Sequence, residues 1–273
     1  MEATTLLTVG AISVAAGLLG ALLGLGGGII LVPALILLLD VPEKTAVATS
    51  LLGVIATSIT ASISQLHHRY ANLSLGMCLT SGTVVGALVG SLIFRWIDPR
   101  WIALLFAVMQ GYVAWTMTRP RPVRAVEDTV APNAHTAQYV DFASGRTVHY
   151  TPTRLTLGWV TSLFAGVLSA LLGVGGGFIN VPVMNLWMDV PLKAAAATSS
   201  FIIGITGSVS AIIYLLHGYV DPTLAAPAVL GVMAGAVAGA ALSRRLRSNI
   251  LRQVLVLLLV ISAVRMTLRV LGR

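Results

Sequence analysis

Apolar runs of roughly 18 to 25 residues recur along the chain, each long enough to cross a hydrocarbon core about 30 Å thick. Short polar stretches separate them, and one run in each half is interrupted by clustered glycines. The pattern predicts five apolar segments per half. The first half carries them at 6–23, 29–39, 45–66, 74–94 and 101–118, and the second at 155–172, 178–188, 194–216, 223–242 and 250–268. The two sets are copies. Residues 16–33 read AGLLGALLGLGGGIILVP and residues 165–182 read AGVLSALLGVGGGFINVP, with thirteen identities at an offset of 149 positions. The same offset pairs Asp40 with Asp189, Lys44 with Lys193, Thr49 with Thr198, His68 with His217 and Gly82 with Gly231. The chain therefore reads as a tandem duplication, with repeats over 1–118 and 155–273 and a polar linker over 119–154.

Chain geometry bears on the glycine break. As one helix, residues 6–39 would run about 50 Å at 1.5 Å per residue, too long for one crossing. A glycine-bent hairpin followed by three transmembrane helices fits each half better. Such a half makes an odd number of crossings, so the two halves are expected to be inverted. The charges agree: inversion puts eleven Lys and Arg on one side and six on the other, against eight and nine for parallel halves. The positive-inside rule then makes Arg69, the linker and the arginines of 244–252 cytoplasmic.

Composition supports the membrane reading and removes others. Of 273 residues, 57% are hydrophobic and 10% charged, and the mean hydropathy is +0.93. Soluble domains carry about 25% charged residues. The net charge of +8 lies mostly between apolar runs, where it marks topology rather than nucleic-acid binding. The single cysteine, Cys78, gives no disulfide framework and no metal motif, and the start of the chain has no basic leader region. The expectation is an all-α polytopic membrane protein with no cofactor.

Within the linker, 138–142 and 146–150 alternate around Ala143-Ser144-Gly145, as a small β-hairpin does. It reads either as a plain connector or as a regulatory element containing His135 and His149.

The candidate chemistry centres on Gly24, Gly26, Gly27, Gly28 and on Gly173, Gly175, Gly176, Gly177. The short helix after each cluster would aim unpaired N–H groups and its positive dipole end at the glycines, which favours an anion. Close helix packing is the plainer use of such glycines. Neither a dinucleotide fingerprint nor a P-loop fits, since Ile29 stands where the first needs Gly or Ala and no Gly-Lys-Ser/Thr follows.

Thr49, Ser50, Thr198, Ser199 and Ser200 would either donate to a substrate's oxygens or bond a helix carbonyl. Asn180, whose counterpart is Leu31, and Asn185 break the symmetry, either as parts of an asymmetric site or as interhelical hydrogen-bonding groups. Asp40 and Asp189 read either as a pair of proton-coupling carboxylates or as helix starts, with Asp near the cap ahead of Pro42 and Pro191. No acid lies mid-span, which argues against a sodium site or carboxylate relay, while His67, His68 and His217 could titrate in proton coupling. Gly82, Gly86, Gly90 and Gly231, Gly235, Gly239 form helix-contact stripes, for packing within the protomer or in a homodimer. Trp96, Trp101, Trp115 and Trp159 sit at segment ends, as interfacial anchors do.

The duplicated Gly-x-Gly-Gly-Gly-Φ-Φ-x-Val-Pro, followed by Val-Pro-x-Lys-x-Ala-x-Ala-Thr-Ser, resembles the sulfite exporter TauE/SafE family of permeases. Here these motifs occupy 24–33 with 41–50, and 173–182 with 190–199. The resemblance implies a bacterial inner-membrane carrier of small anions, often sulfur compounds such as sulfite or sulfoacetate. An anion carrier working by alternating access is thus the expected function. A channel-like facilitator and a scaffold for a sulfur-metabolism partner stand beside it. The lack of clustered nucleophiles, bases or metal ligands argues against an enzyme.

Overall fold

The computed structural model describes residues 3–67, 70–118, 134–141 and 146–243, and the helical residues 256–257, 260–261, 263–264 and 267–268. The first half contains α1 (Ala3–Leu23), α2 (Gly28–Leu39), α3 (Glu43–His67), α4 (Leu73–Ile93) and α5 (Pro99–Thr118). The linker forms β1 (Ala137–Asp141) and β2 (Arg146–Tyr150), paired antiparallel with Ala137 opposite Tyr150 and Asp141 opposite Arg146. The second half follows with α6 (Leu155–Leu172), α7 (Gly177–Leu186), α8 (Leu192–Leu216) and α9 (Pro222–Ser243). Among the described residues, five helices are long and apolar enough to cross a membrane: α3, α4, α6, α8 and α9. Large apolar side chains such as Leu7, Ile63, Met77, Leu216 and Leu230 are exposed, the surface of a protein solvated by lipid. The protein is an all-α multi-pass membrane protein carrying one small β-hairpin. His68, Arg69 and the cluster at 244–252 lie outside the described residues, as does most of the segment expected at 250–268.

The glycine clusters break the helices for two different reasons. Gly24, Gly26 and Gly27, and their counterparts Gly173, Gly175 and Gly176, all have φ between 66° and 83°. An L-residue there would cost about 1–2 kcal/mol in backbone sterics alone. Gly28 and Gly177 instead open the next helix, and space is what requires glycine there. A methyl group on Gly177 would stand 2.6 Å from the carbonyl oxygen of Gly24. Beyond each break the helix is short: α2 has 12 residues and α7 has 10. Lengths of about 15–18 Å reach only half of a hydrocarbon core.

Asp40 and Asp189 are not helix starts. Both have left-handed backbones (φ 48° and 57°), and Asp40 is the C-cap of α2, while α3 begins at Glu43 and α8 at Leu192 after Pro191. Reversing the chain after a half-length helix needs a left-handed residue, and Asp tolerates that region better than most.

The halves interlock by swapping partners. The α4 stripe lies on α6, with Gly82, Gly86 and Gly90 facing the carbonyls of Trp159, Leu163 and Val167 in turn. Likewise Gly231, Gly235 and Gly239 of α9 face the carbonyls of Gly10, Val14 and Leu18 of α1. These partners are themselves 149 positions apart. A methyl on Gly90 would come within 2.6 Å of Val167 O, so the glycines permit backbone-to-backbone packing within one protomer. In both pairs residue numbers rise together, so the helices run in the same sense. In the middle, α3 and α8 cross in opposite senses. Ile55 meets Gly207, while Ser58 meets Gly204 and donates to Ser200 O.

Candidate functional site

The two glycine breaks meet at the centre of this arrangement. Gly28 lies against Gly173 O and Gly177 against Gly24 O, and all eight cluster glycines are buried. Gly26 and Gly175 both face Val54 of α3 and Ile203 of α8, two residues 149 positions apart that fill the space between the turns. The N-terminus of α2 and that of α7 thus converge on one point, as their dipoles would require to hold a shared anion. Among the described residues no backbone carbonyl accepts from the N–H groups of Gly26, Gly27, Gly28 and Ile29, nor from those of Gly175, Gly176, Gly177 and Phe178.

The hydroxyls sort into two groups. Ser50 Oγ donates to Gly173 O at 2.8 Å and fastens one break to the other. Ser200 Oγ bonds its own helix at Ala196 O, and Thr198 Oγ1 accepts from the N–H of Asn72. These three hydroxyls have structural partners. Among the described residues Thr49 Oγ1 and Ser199 Oγ have none, and both are fully buried. Ser199 Oγ lies beside the start of α7, 3.1 Å from where a methyl on Gly177 would be.

Asn180 sits one turn into α7 and is buried. Its Oδ1 takes a long 3.4 Å hydrogen bond from Ser162 Oγ, and its Nδ2 has no partner among the described residues. Ser169 Oγ is also buried without a partner, and its Cβ is 3.4 Å from the methyl position of Gly176. A buried donor left unmade costs about 1–3 kcal/mol, and the side chains of Asn180, Ser169 and Ser199 place three such groups around the start of α7. Ser162 and Ser169 were not among the residues expected from the sequence. Ser162 could have been found at the offset from Ser13, whereas Ser169 replaces Gly20 and shows only as a difference between copies.

Three other residues have simpler uses. Asn185 Nδ2 donates to Val190 O and closes the turn after α7, so it does not reach the site. His217 Nδ1 lies 2.7 Å from Ile213 O of its own helix, and its ring stacks on Tyr219. Gln110 of α5 donates from Nε2 to Ile29 O at 3.1 Å. Pro33 has no N–H to offer that carbonyl, four residues upstream, and Gln110 supplies the missing donor.

No group of three or more metal-ligating side chains occurs among the described residues. What the site offers is neutral donors, amide and hydroxyl, at two helix N-termini inside an apolar shell.

A glycine-broken hairpin in each of two interlocked halves, among helices long and apolar enough to cross a membrane, marks a multi-pass membrane protein, and its family makes it a permease. The model of the sulfite exporter TauE/SafE family matches residues 9–266, and the chain belongs to that family. It is 26% identical over 255 residues to the probable membrane transporter protein YunE of Bacillus subtilis (strain 168), covering 89% of this chain and 92% of that protein. A probable membrane transporter protein of Haemophilus influenzae is 28% identical over 237 residues, 80% of each chain. The Arabidopsis thaliana sulfite exporter TauE/SafE family protein 1 is 44% identical over 59 residues, 22% of this chain and 13% of that one. No solved structure matches the chain.

Proposed function

We propose that the protein is a secondary carrier of a small anion, a sulfur oxyanion or organosulfonate such as sulfite or sulfoacetate, in a bacterial inner membrane. The observation carrying this is the set of partnerless donors at the start of α7: Asn180 Nδ2, Ser169 Oγ, Ser199 Oγ and the N–H groups of Gly175, Gly176, Gly177 and Phe178. Several donors and no acid suit a guest rich in acceptor oxygens. The break at Gly24, Gly26, Gly27 and Gly28, with Thr49, supplies the opposite wall. Thr198, Ser200 and Ser50 hold the frame through the bonds described above. The family's name supports a sulfur oxyanion as the first substrate to try.

The carrier works by alternating access between inverted halves. The opposed senses of α3 and α8, which are counterparts across the duplication, support inversion. So do the shared senses of α4 with α6 and of α1 with α9. A re-entrant hairpin followed by two crossings sets α4 against α1 in direction, and α6, which follows α4, then runs against its counterpart α1.

The test is counterflow in proteoliposomes with sulfite, sulfoacetate and small carboxylates, with and without a proton gradient. Saturable counterflow of a sulfur oxyanion supports the reading, and the gradient arm reads proton coupling. Flux that rises linearly with concentration indicates a channel-like facilitator, and no flux of any panel member by folded protein refutes the substrate class.

A further inference from the structure

The linker hairpin is seated in the body of the protein. Tyr139 and Tyr150 are 6% and 3% exposed and pack with Leu75, Met184, Met188, Val190 and Ala194. The Tyr139 ring lies 5.0 Å from that of Tyr70. Polar bonds pin the edges: Asn72 Nδ2 donates to His135 O at 2.6 Å, and Ser74 Oγ lies 2.8 Å from His135 Nδ1. On the far side the Thr153 N–H donates to Met188 O, and Thr153 Oγ1 donates to Asp189 Oδ2.

Elsewhere in the molecule lies an open pocket of about 400 Å³, lined by Leu39, Val41, Thr45, Tyr219 and Leu224 among others. Shifted by 149 positions, these five residues are Met188, Val190, Ala194, Tyr70 and Leu75. They line or adjoin the seat of the hairpin. The duplication therefore made one vestibule twice, and the linker fills one copy.

We propose that β1–β2 is a built-in plug, which closes the vestibule of one membrane face while the matching vestibule on the opposite face stays open. The opposite-face part rests on the inverted-halves reading above; the filling of one vestibule does not.

The plug fits only one seat. Asn72 holds His135 O with an amide N–H, and its counterpart in the open pocket is Asp221, whose carboxylate has no proton to donate. Hydrogen bonds from the Thr223 hydroxyl and N–H hold the Asp221 carboxyl below its ordinary value, which keeps that pocket anionic. The seat is also tied to the site: the N–H of Asn72 bonds Thr198 Oγ1, one residue from Ser199. Unseating the hairpin releases the side chain of Asn72, whose own backbone N–H makes this bond to α8.

The test uses single cysteines at matching vestibule positions, Thr45→Cys and Ala194→Cys, each with Cys78→Ser, and a membrane-impermeant maleimide applied from each face. Thr45→Cys should react from one face and Ala194→Cys should be shielded. Adding Tyr139→Ser and Tyr150→Ser should speed labelling of Ala194→Cys about tenfold or more, the shielding expected of a plug open for at most a tenth of the time. That labelling should come from the face opposite Thr45→Cys. Unchanged labelling on unseating the hairpin overturns the plug, whereas labelling of both cysteines from one face overturns only the inversion. A Ser74→Cys/His135→Cys pair locks the hairpin in place without disturbing its tyrosines. Oxidation should slow transport and reductant should restore it. Equal transport when locked and unlocked overturns the plug.

Discussion

The two glycine hairpins share thirteen of eighteen residues and nearly the same backbone angles, yet only the second carries a partnerless amide and a partnerless hydroxyl at positions where the first has Leu31 and Gly20. Where α7 has Asn180, α2 has Leu31; where α6 has Ser169, α1 has Gly20. Ser50 is engaged with the opposite break, while its counterpart Ser199 is not. Shared residues build the turn, and in the proposed carrier the differing ones decide what it can bind. Duplication supplies two helix ends aimed at one point, and divergence gives the second an amide and a hydroxyl that the first lacks.

The largest effects should come from breaking what the two hairpins share. Valine at Gly26 or Gly175 combines a left-handed backbone (φ 78° and 83°) with β-branching and close contacts to Val54 and Ile203. Each should abolish the folded protein in a detergent thermal-stability assay. Gly27→Ala and Gly176→Ala should differ in degree. The first places its methyl 2.6 Å from Ala16 O, the second 3.2 Å from Ala165 O, so the first should lower the melting temperature more.

Next in size is erasing the difference itself. Asn180→Leu copies the first half into the second and removes a donor worth about 1.5–3 kcal/mol to a charged acceptor. Substrate affinity should fall roughly tenfold to a hundredfold with little loss of stability, as read by transport KM and thermal melting. The reverse change, Leu31→Asn, should weaken folding without improving affinity, because Leu31 is packed in an apolar core.

A smaller and purely structural effect is expected at Gln110→Leu. It strips the donor from Ile29 O beside Pro33 and should cost about 1–3 kcal/mol of stability, leaving KM unchanged.

The smallest effect concerns the hairpin that distinguishes the two vestibules. Burial pushes the Tyr150 phenol up from 10.0 to about 12, against a weaker opposing pull from the Asn72 side chain. The folded state thus favours the neutral phenol. That contribution is fully present below pH 10.0 and is lost as the pH rises through about 12. Hairpin release followed by Ala194→Cys labelling should increase in that window, and Tyr150→Phe should remove the dependence.

Much of this was legible in the chain because it is written locally or twice. The glycine breaks, the strand pair in the linker and the small-residue stripes each follow from a short pattern, and the repeat offset located the second copy of the breaks and of the stripes. Asp40 and Asp189 misled because Asp-x-Pro marks a helix start in most contexts, whereas here a half-length helix must first end. Long-range bonds were not legible: Ser50 finding Gly173 O, Gln110 finding Ile29 O and the hairpin finding its seat all depend on tertiary placement. Which hydroxyls retain a free donor is likewise decided by neighbours far away in sequence.

The most direct test of the asymmetric site is sulfite counterflow into proteoliposomes containing equal amounts of folded wild-type and Asn180→Leu protein. Expected is saturable exchange by the wild type and a KM raised at least about tenfold in the variant, with the same thermal stability. Identical KM and maximal rate for the two proteins would contradict an anion site at the start of α7.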